Sequence, residues 1–207
     1  MTLRQSSIRA WEYCPAKYRA TYELGLNLGE YDPNLMYGTM VHKMVEEYHL
    51  TGLGNPLIDR YTGEYQSRDF VYVEHSFSWD MPLTGITFTG TIDRIREHDL
   101  RDFKTSKVSY SQRRVDEDIQ ATAYLAYWYD KTGDIVPFGF DVLRKDKRAN
   151  GAEFPLQVLA TTRTREQLKM FELYCEQIAE AISRETEFRC TCRTQEHAVF
   201  SRTELYI

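Results

Sequence analysis

Apolar residues recur along the 207-residue chain with two periods, and the succession of those periods predicts its elements. In "YGTMVHKMVEEYHLTG", Val41, Met44, Val45 and Tyr48 fall at i, i+3, i+4 and i+7, one face of a helix that stops near Gly52. Leu168, Phe171, Cys175, Ile178 and Ile182 make a similar stripe, predicting a final helix over about 164–183. "SSIRAWEYCPAKYRATYEL" predicts two short helices or one bent one, with Ser6 or Ser7 as cap and Pro15 opening the second part. "VDEDIQATAYLAYWYDKTG" predicts another helix, ending at Gly133. The runs "FVYVEHSFSW", "ITFTGTIDRIRE" and "LRDFKTS" are rich in β-branched and aromatic residues and predict a meander, and "VPFGFDVLRK" and "PLQVLATT" predict two further strands. Residues 52–66, with their glycines and Pro56, predict a loop. The order α, α, β, β, β, α, β, β, α describes an α/β or α+β domain, a mixed central sheet flanked by helices with a helical N-terminal segment.

Composition narrows the classes. A chain of this length suits one domain over 1–207, with the helical part to about residue 50 packing against a tail from about 185 to 207. At 42% hydrophobic and 28% charged it has the material for a core, which excludes a disordered chain. The net charge of -5 argues against a protein that coats nucleic acid by bulk electrostatics and leaves only local patches: Lys17 with Arg19, Arg113 with Arg114, and "RKDKR" at 144–148. No apolar run reaches the ~20 residues that cross a bilayer, and the opening residues lack the apolar core of a signal peptide. A cytoplasmic protein with no membrane partner is therefore expected.

The chemistry concentrates in "GTIDRIREHDLRDFKT", residues 90–105. Carboxylates are disfavoured in strands, so Asp93, Asp102 and Lys104 call for an environment that rewards them. A turn centred on His98 and Asp99 would pair Asp93 with Lys104, Ile95 with Asp102 and Glu97 with Leu100. Period-two alternation then sends Asp93, Asp102 and Lys104 to one face, with the two acids as diagonal neighbours. Converging carboxylates repel, and a hard divalent cation such as magnesium or manganese offsets that repulsion. A lysine beside them could orient or deprotonate a water, or stabilise charge on a phosphate. A surface hairpin with cross-strand ion pairs is the plainer reading of the same residues.

With its neighbours this hairpin resembles the PD-(D/E)XK nuclease superfamily, in particular the RecB-type branch of small CRISPR-associated and phage exonucleases. "SSIRAWEYCPAKYRATYEL" resembles the branch's opening helix with its Cys-Pro, and "YGTMVH" its Gly-Thr-x-x-His helix. "GTIDRI" resembles its Gly-x-x-Asp strand, "RDFKTSK" its Asp-x-Lys strand, and "IQATAY" the helix with Gln-x-x-x-Tyr. The resemblance implies a restriction-endonuclease-like core and metal ligation by His42, Asp93, Asp102 and the backbone carbonyl of Phe103. It implies Lys104 as the catalytic lysine, with Asp93 and Asp102, and Gln120 and Tyr124 as substrate contacts. The expected function is a magnesium- or manganese-dependent deoxyribonuclease, an exonuclease processing DNA ends in recombination, repair, phage replication or CRISPR adaptation. Its expected setting is a bacterial or phage-infected cell, with a recombination, helicase or CRISPR adaptation protein as partner. The alternative is a weakly active or inactive DNA-binding or assembly module of such a complex.

Several members of the branch hold an iron–sulfur cluster through the opening Cys-Pro and three C-terminal cysteines. Here Cys14, Cys190 and Cys192 fit some of those positions, but cluster ligation normally needs four thiolates and Cys175 falls on an apolar helical stripe. The reading favours no cluster, with the three thiols reduced or part of a zinc site.

Overall fold

The computed structural model describes residues 1–26, 33–144 and 155–191. The described elements are β1 (Thr2–Leu3), α1 (Gln5–Tyr13), α2 (Pro15–Tyr18), α3 (Pro33–Thr51), α4 (Asp59–Glu64), β2 (Tyr72–Asp80), β3 (Thr87–Ile95), β4 (Leu100–Ser106), α5 (Gln112–Asp116), α6 (Ile119–Thr132), β5 (Phe138–Arg144), β6 (Leu156–Thr161) and α7 (Arg165–Arg184). They form a mixed α/β fold whose sheet runs β1-β3-β4-β5-β6, with β2 also paired to β3. β4 and β5 are parallel neighbours, while β3 with β4 and β5 with β6 are antiparallel. The central β5 is buried from Phe138 to Leu143, which is why it reads as a nearly unbroken apolar run.

The chain divides into two compact units, one of Met1–Tyr31, Ser78–Thr89 and Glu172–Ile207, the other of Asp32–Phe77 and Gly90–Phe171. In the first, Cys14 is extended (φ -165°) between α1 and α2, and Pro15 opens α2 where its missing N–H costs nothing. Trp11 meets Tyr18 and Phe188 edge-on, Tyr174 donates to Glu12, and Thr191 donates to the Tyr13 carbonyl. Burial pushes the Cys175 thiol up to about 12, as suits a core side chain.

In the second unit, Val41, Val45 and Tyr48 of α3 pack with Ile58, Tyr61, Tyr65, Phe103 and Leu143. Three of these come from the segment expected to be a loop. There Asn55 accepts from the Leu57 N–H and Pro56 opens a 3₁₀ turn leading into α4, so local capping prevails over a glycine-rich composition. The single helix expected after residue 114 is instead two. Ser111 caps α5, and Asp118 restarts the chain as α6 by accepting from the N–H groups of Gln120 and Ala121. Gly133 closes α6 at φ 77°, a left-handed position that favours glycine.

The hairpin register differs from the expected one. Ile95 pairs with Leu100 and Arg94 with Arg101, so four residues, Arg96 to Asp99, connect the strands, closed by the Arg96 N–H on the Asp99 carbonyl. The slip is two residues, which preserves parity, and continuing the register puts Asp93 opposite Asp102 instead of diagonal to it. The longer turn frees Asp99 to accept from Arg101 Nη1 at 2.8 Å.

Beneath the sheet face lies a charged network that periodicity did not suggest. Asp141, 0% exposed, takes Arg101 in a two-pronged pair (Nε to Oδ2 2.9 Å, Nη2 to Oδ1 2.5 Å) and the Tyr65 hydroxyl at 2.7 Å. Gly139, opposite Arg101 in the parallel ladder, leaves space for that guanidinium: a Cβ there would lie 2.5 Å from Nη1. Gly139→Ala is expected to destabilise the protein by about 1–3 kcal/mol, read as a lower urea midpoint at unchanged slope.

His49 carries a pH dependence. Nδ1 lies 3.4 Å from the Ser67 carbonyl, which can only accept, so Nδ1 carries the proton and Nε2 accepts from the Tyr61 hydroxyl at 2.7 Å. Burial lowers its pKa to about 4. The unfolded chain takes up a proton near pH 6.5 and the folded one does not, so stability present above that pH falls as pH drops toward 4. His49→Gln is expected to flatten that slope in thermal melts between pH 7 and 4.

Candidate active site

α3 lies tightly against β4: a Cβ on Gly38 would sit 3.3 Å from the Thr105 hydroxyl. That approach explains a glycine one turn before His42. The His42 ring meets Phe103 edge-on at 5.2 Å and puts Nδ1 3.7 Å from Asp93 Oδ2. Burial lowers the His42 pKa, favouring the neutral ring that can ligate a metal. Asp93 Oδ2 also accepts the Phe103 N–H at 2.9 Å, so the first acid is anchored to the strand that carries the second.

Asp102 is 1% exposed. Its Oδ1 accepts from Gln120 Nε2 at 2.7 Å, and its Oδ2 lies 2.7 Å from Lys104 Nζ. Lys104 also donates to Gln120 Oε1 at 3.1 Å, so one amide on α6 clamps both members of the pair. Burial first, and Asp93 second, raise the Asp102 pKa. Burial works to lower the Lys104 pKa, but the carboxylates of Asp102 and Asp93 hold it above its ordinary value. Tyr124, one turn beyond Gln120, lies with its hydroxyl 3.4 Å from Gln120 Nε2. Gly90 packs under Tyr124 and Phe77, where a Cβ would come within 2.8 Å and 2.9 Å of their rings.

A residue outside the expected set completes the cluster. Among the described residues, His42, Glu74 and Asp93 each offer one ligand atom within 4.8 Å of the others. Glu74 is an exposed residue, yet the partial desolvation of its carboxyl, and then the charge of Asp93 and Glu46, push it up to about 7. Sequence did hold a signal: Glu74 is an acid inside an apolar strand run, the feature that drew attention to Asp93. The donor set fits a divalent cation, since one imidazole and two carboxylates converging on one point offer such an ion nitrogen and oxygen ligands.

The structure thus brings His42, Asp93, Asp102, Phe103, Lys104, Gln120 and Tyr124 into one cluster. Cys14, Cys175 and Cys190 belong to the first unit. Cys14 is buried with Ala16, and Cys190 packs against them; Cys192 lies outside the described residues.

A family model of the PD-(D/E)XK nuclease superfamily matches residues 2–62 and 54–194. The chain belongs to the PD-(D/E)XK nuclease superfamily. Among solved structures it is similar to a candidate exonuclease from Eubacterium rectale, at 13% identity and TM-score 0.66, covering 96% of this chain and 87% of that one. It is also similar to an alkaline exonuclease from Laribacter hongkongensis, at 11% identity and TM-score 0.50, covering 88% of each chain. At these identities the likeness is one of fold. Among curated proteins no match is found. PD-(D/E)XK nucleases use divalent metal ions, and the cluster of His42, Glu74 and Asp93 offers this nuclease a place for one. No helix among its described residues is long and apolar enough to cross a membrane.

Proposed function

We propose that this nuclease is a magnesium- or manganese-dependent deoxyribonuclease that degrades DNA from its ends. The observation that carries the reading is the convergence of Asp93 and the Asp102–Lys104 pair beside His42 and Glu74. His42, Glu74 and Asp93 would hold the cation, with Asp102 and the Phe103 carbonyl completing its surroundings. A divalent ion bound there supplies Lewis-acid polarisation of the phosphoryl oxygen and a more acidic water. Lys104, paired with Asp102, is an ammonium, and its role is to stabilise charge that builds on the phosphoryl oxygens as the water attacks. Gln120 orients both side chains and, with Tyr124, borders the substrate. A binding or assembly module would have no use for an intact lysine and acid pair, which favours the enzyme.

The test is digestion of end-labelled linear and closed circular DNA with magnesium or manganese. Linear DNA is expected to be degraded, circles to survive, and chelation to stop the reaction; circles cut as fast as linear DNA would replace end-processing by internal cleavage. Glu74→Gln supplies a second check. Losing even an outer-shell metal partner costs about 10–100-fold in affinity, so losing a direct oxygen is expected to weaken manganese binding by at least that much in calorimetry.

A further inference from the structure

Strand β2 carries a backbone outlier at Glu74. Successive side chains of a strand point to opposite faces, so residues three apart should face away from each other. Glu74 has φ 53°, a left-handed conformation that is uncommon for a residue bearing a side chain and is enriched at functional sites. On either side of it the rings of Tyr72 and His75 lie only 5.6 Å apart. The kink therefore does two things at once: it brings two rings together and turns the carboxylate between them toward His42 and Asp93.

From His75 the aromatic row continues inward. His75 stacks with Tyr127 at 6.1 Å and 30°, its Nε2 3.1 Å from the Tyr127 hydroxyl, and Tyr127 lies face to face on Phe77 at 3.9 Å and 7°. Phe77 meets Tyr124 edge-on at 5.6 Å, and Tyr124 contacts Gln120, the amide that holds Asp102 and Lys104. At the outer end Tyr72 is 55% exposed, and among the described residues no hydrogen bond or ion pair engages it.

We propose that Tyr72 and His75 form a ledge on which an unpaired base of the DNA strand stacks while the strand's phosphate lies at the metal cluster. The inference rests on the nuclease reading and adds what the substrate must present. An aromatic face offers a surface to a base and little to a phosphate, and Tyr72 is within about 7 Å of strand from Glu74, close enough for one nucleotide to span. A base inside a duplex has both faces covered by its neighbours, so the ledge takes a frayed or single-stranded one. Base–aromatic stacking is worth about 1–3 kcal/mol by alanine substitution, or about 5- to 150-fold in affinity.

The test is fluorescence anisotropy of labelled oligonucleotides, with calcium in place of magnesium or manganese so that a cation can occupy the cluster while turnover is held back, on the full chain and on Tyr72→Ala and Tyr72→Trp. Tyr72 is a surface residue, and thermal melts of both variants would establish that they fold. Tyr72→Ala is expected to bind single-stranded oligothymidylate at least 5-fold more weakly, with Tyr72→Trp as tight as the native protein. Both variants are expected to match the native protein on a blunt duplex and on a strand of abasic residues. Affinity for oligothymidylate within twofold of native in Tyr72→Ala, or an equal loss on the abasic strand, would overturn the ledge. If the native protein degrades linear DNA and only the tyrosine proves indifferent, the ledge alone fails; if it neither binds nor cuts DNA, the nuclease reading fails with it.

Discussion

Lys104→Met is expected to lower the rate of DNA hydrolysis by about 10²- to 10⁴-fold, the range for removing a positioned group that stabilises charge or moves a proton in a transition state. The methionine keeps the length of the stem and removes the cation. Folding is expected to survive, because burial and Asp93 already raise the Asp102 pKa, so Asp102 can take up a proton when its lysine partner is gone. Gln120 would still donate to Asp102 Oδ1. Lys104→Arg is not expected to rescue, since a planar fork cannot occupy the place of a point ammonium held at 2.7 Å from Asp102 and 3.1 Å from Gln120. Initial rates on end-labelled linear DNA, at saturating metal, check this. A variant within threefold of the native rate would remove Lys104 from the chemistry.

The largest expected effect on stability lies at Asp141. Removing its carboxylate strands Arg101, which then keeps Asp99 and the face of Tyr65, and also Arg94, whose Nη2 lies 4.0 Å from Asp141 Oδ2. Arg94 is 2% exposed, and its other neighbours are the rings of Tyr61, Phe103 and Phe70 at 5.1, 5.3 and 5.9 Å. Breaking a buried ion pair from one side costs about 3–5 kcal/mol, because an uncompensated charge stays inside. For a chain of this size each kcal/mol is about 2–4 °C, so Asp141→Ala is expected to melt about 6–20 °C below the native protein. Asp141→Asn, which keeps the shape and accepts one bond, is expected to lose less. A drop of under about 2 °C in the alanine variant would mean the arginines find other partners.

Much of this was legible in the chain. Val41, Val45 and Tyr48 point inward as their spacing predicts, and period-two alternation puts Asp93 and Asp102 on one side even though the turn between them is longer than expected. A slip of two residues is invisible to alternation, and what accompanies it, the reach of Arg101 to Asp99 and Asp141, involves two strands and the turn before β4. Asp141 and Arg101 could not be paired from sequence because their contact is made across a parallel ladder 40 residues apart. The α4 helix was hidden by Gly54, Pro56 and Gly63, whose local signal is a loop. Glu74 shares with Asp93 the signal of an acid inside an apolar run, but its direction needed a backbone angle: the residue is left-handed, and its carboxylate lies with His42 and Asp93.

The central claim is that His42, Glu74 and Asp93 hold a divalent cation beside the Asp102–Lys104 pair. Anomalous diffraction from crystals soaked in manganese tests it most directly. A peak within ligand distance of the His42 imidazole and the Glu74 and Asp93 carboxylates is the predicted result, and the same crystals showing manganese only elsewhere, or none with those side chains ordered, would contradict it.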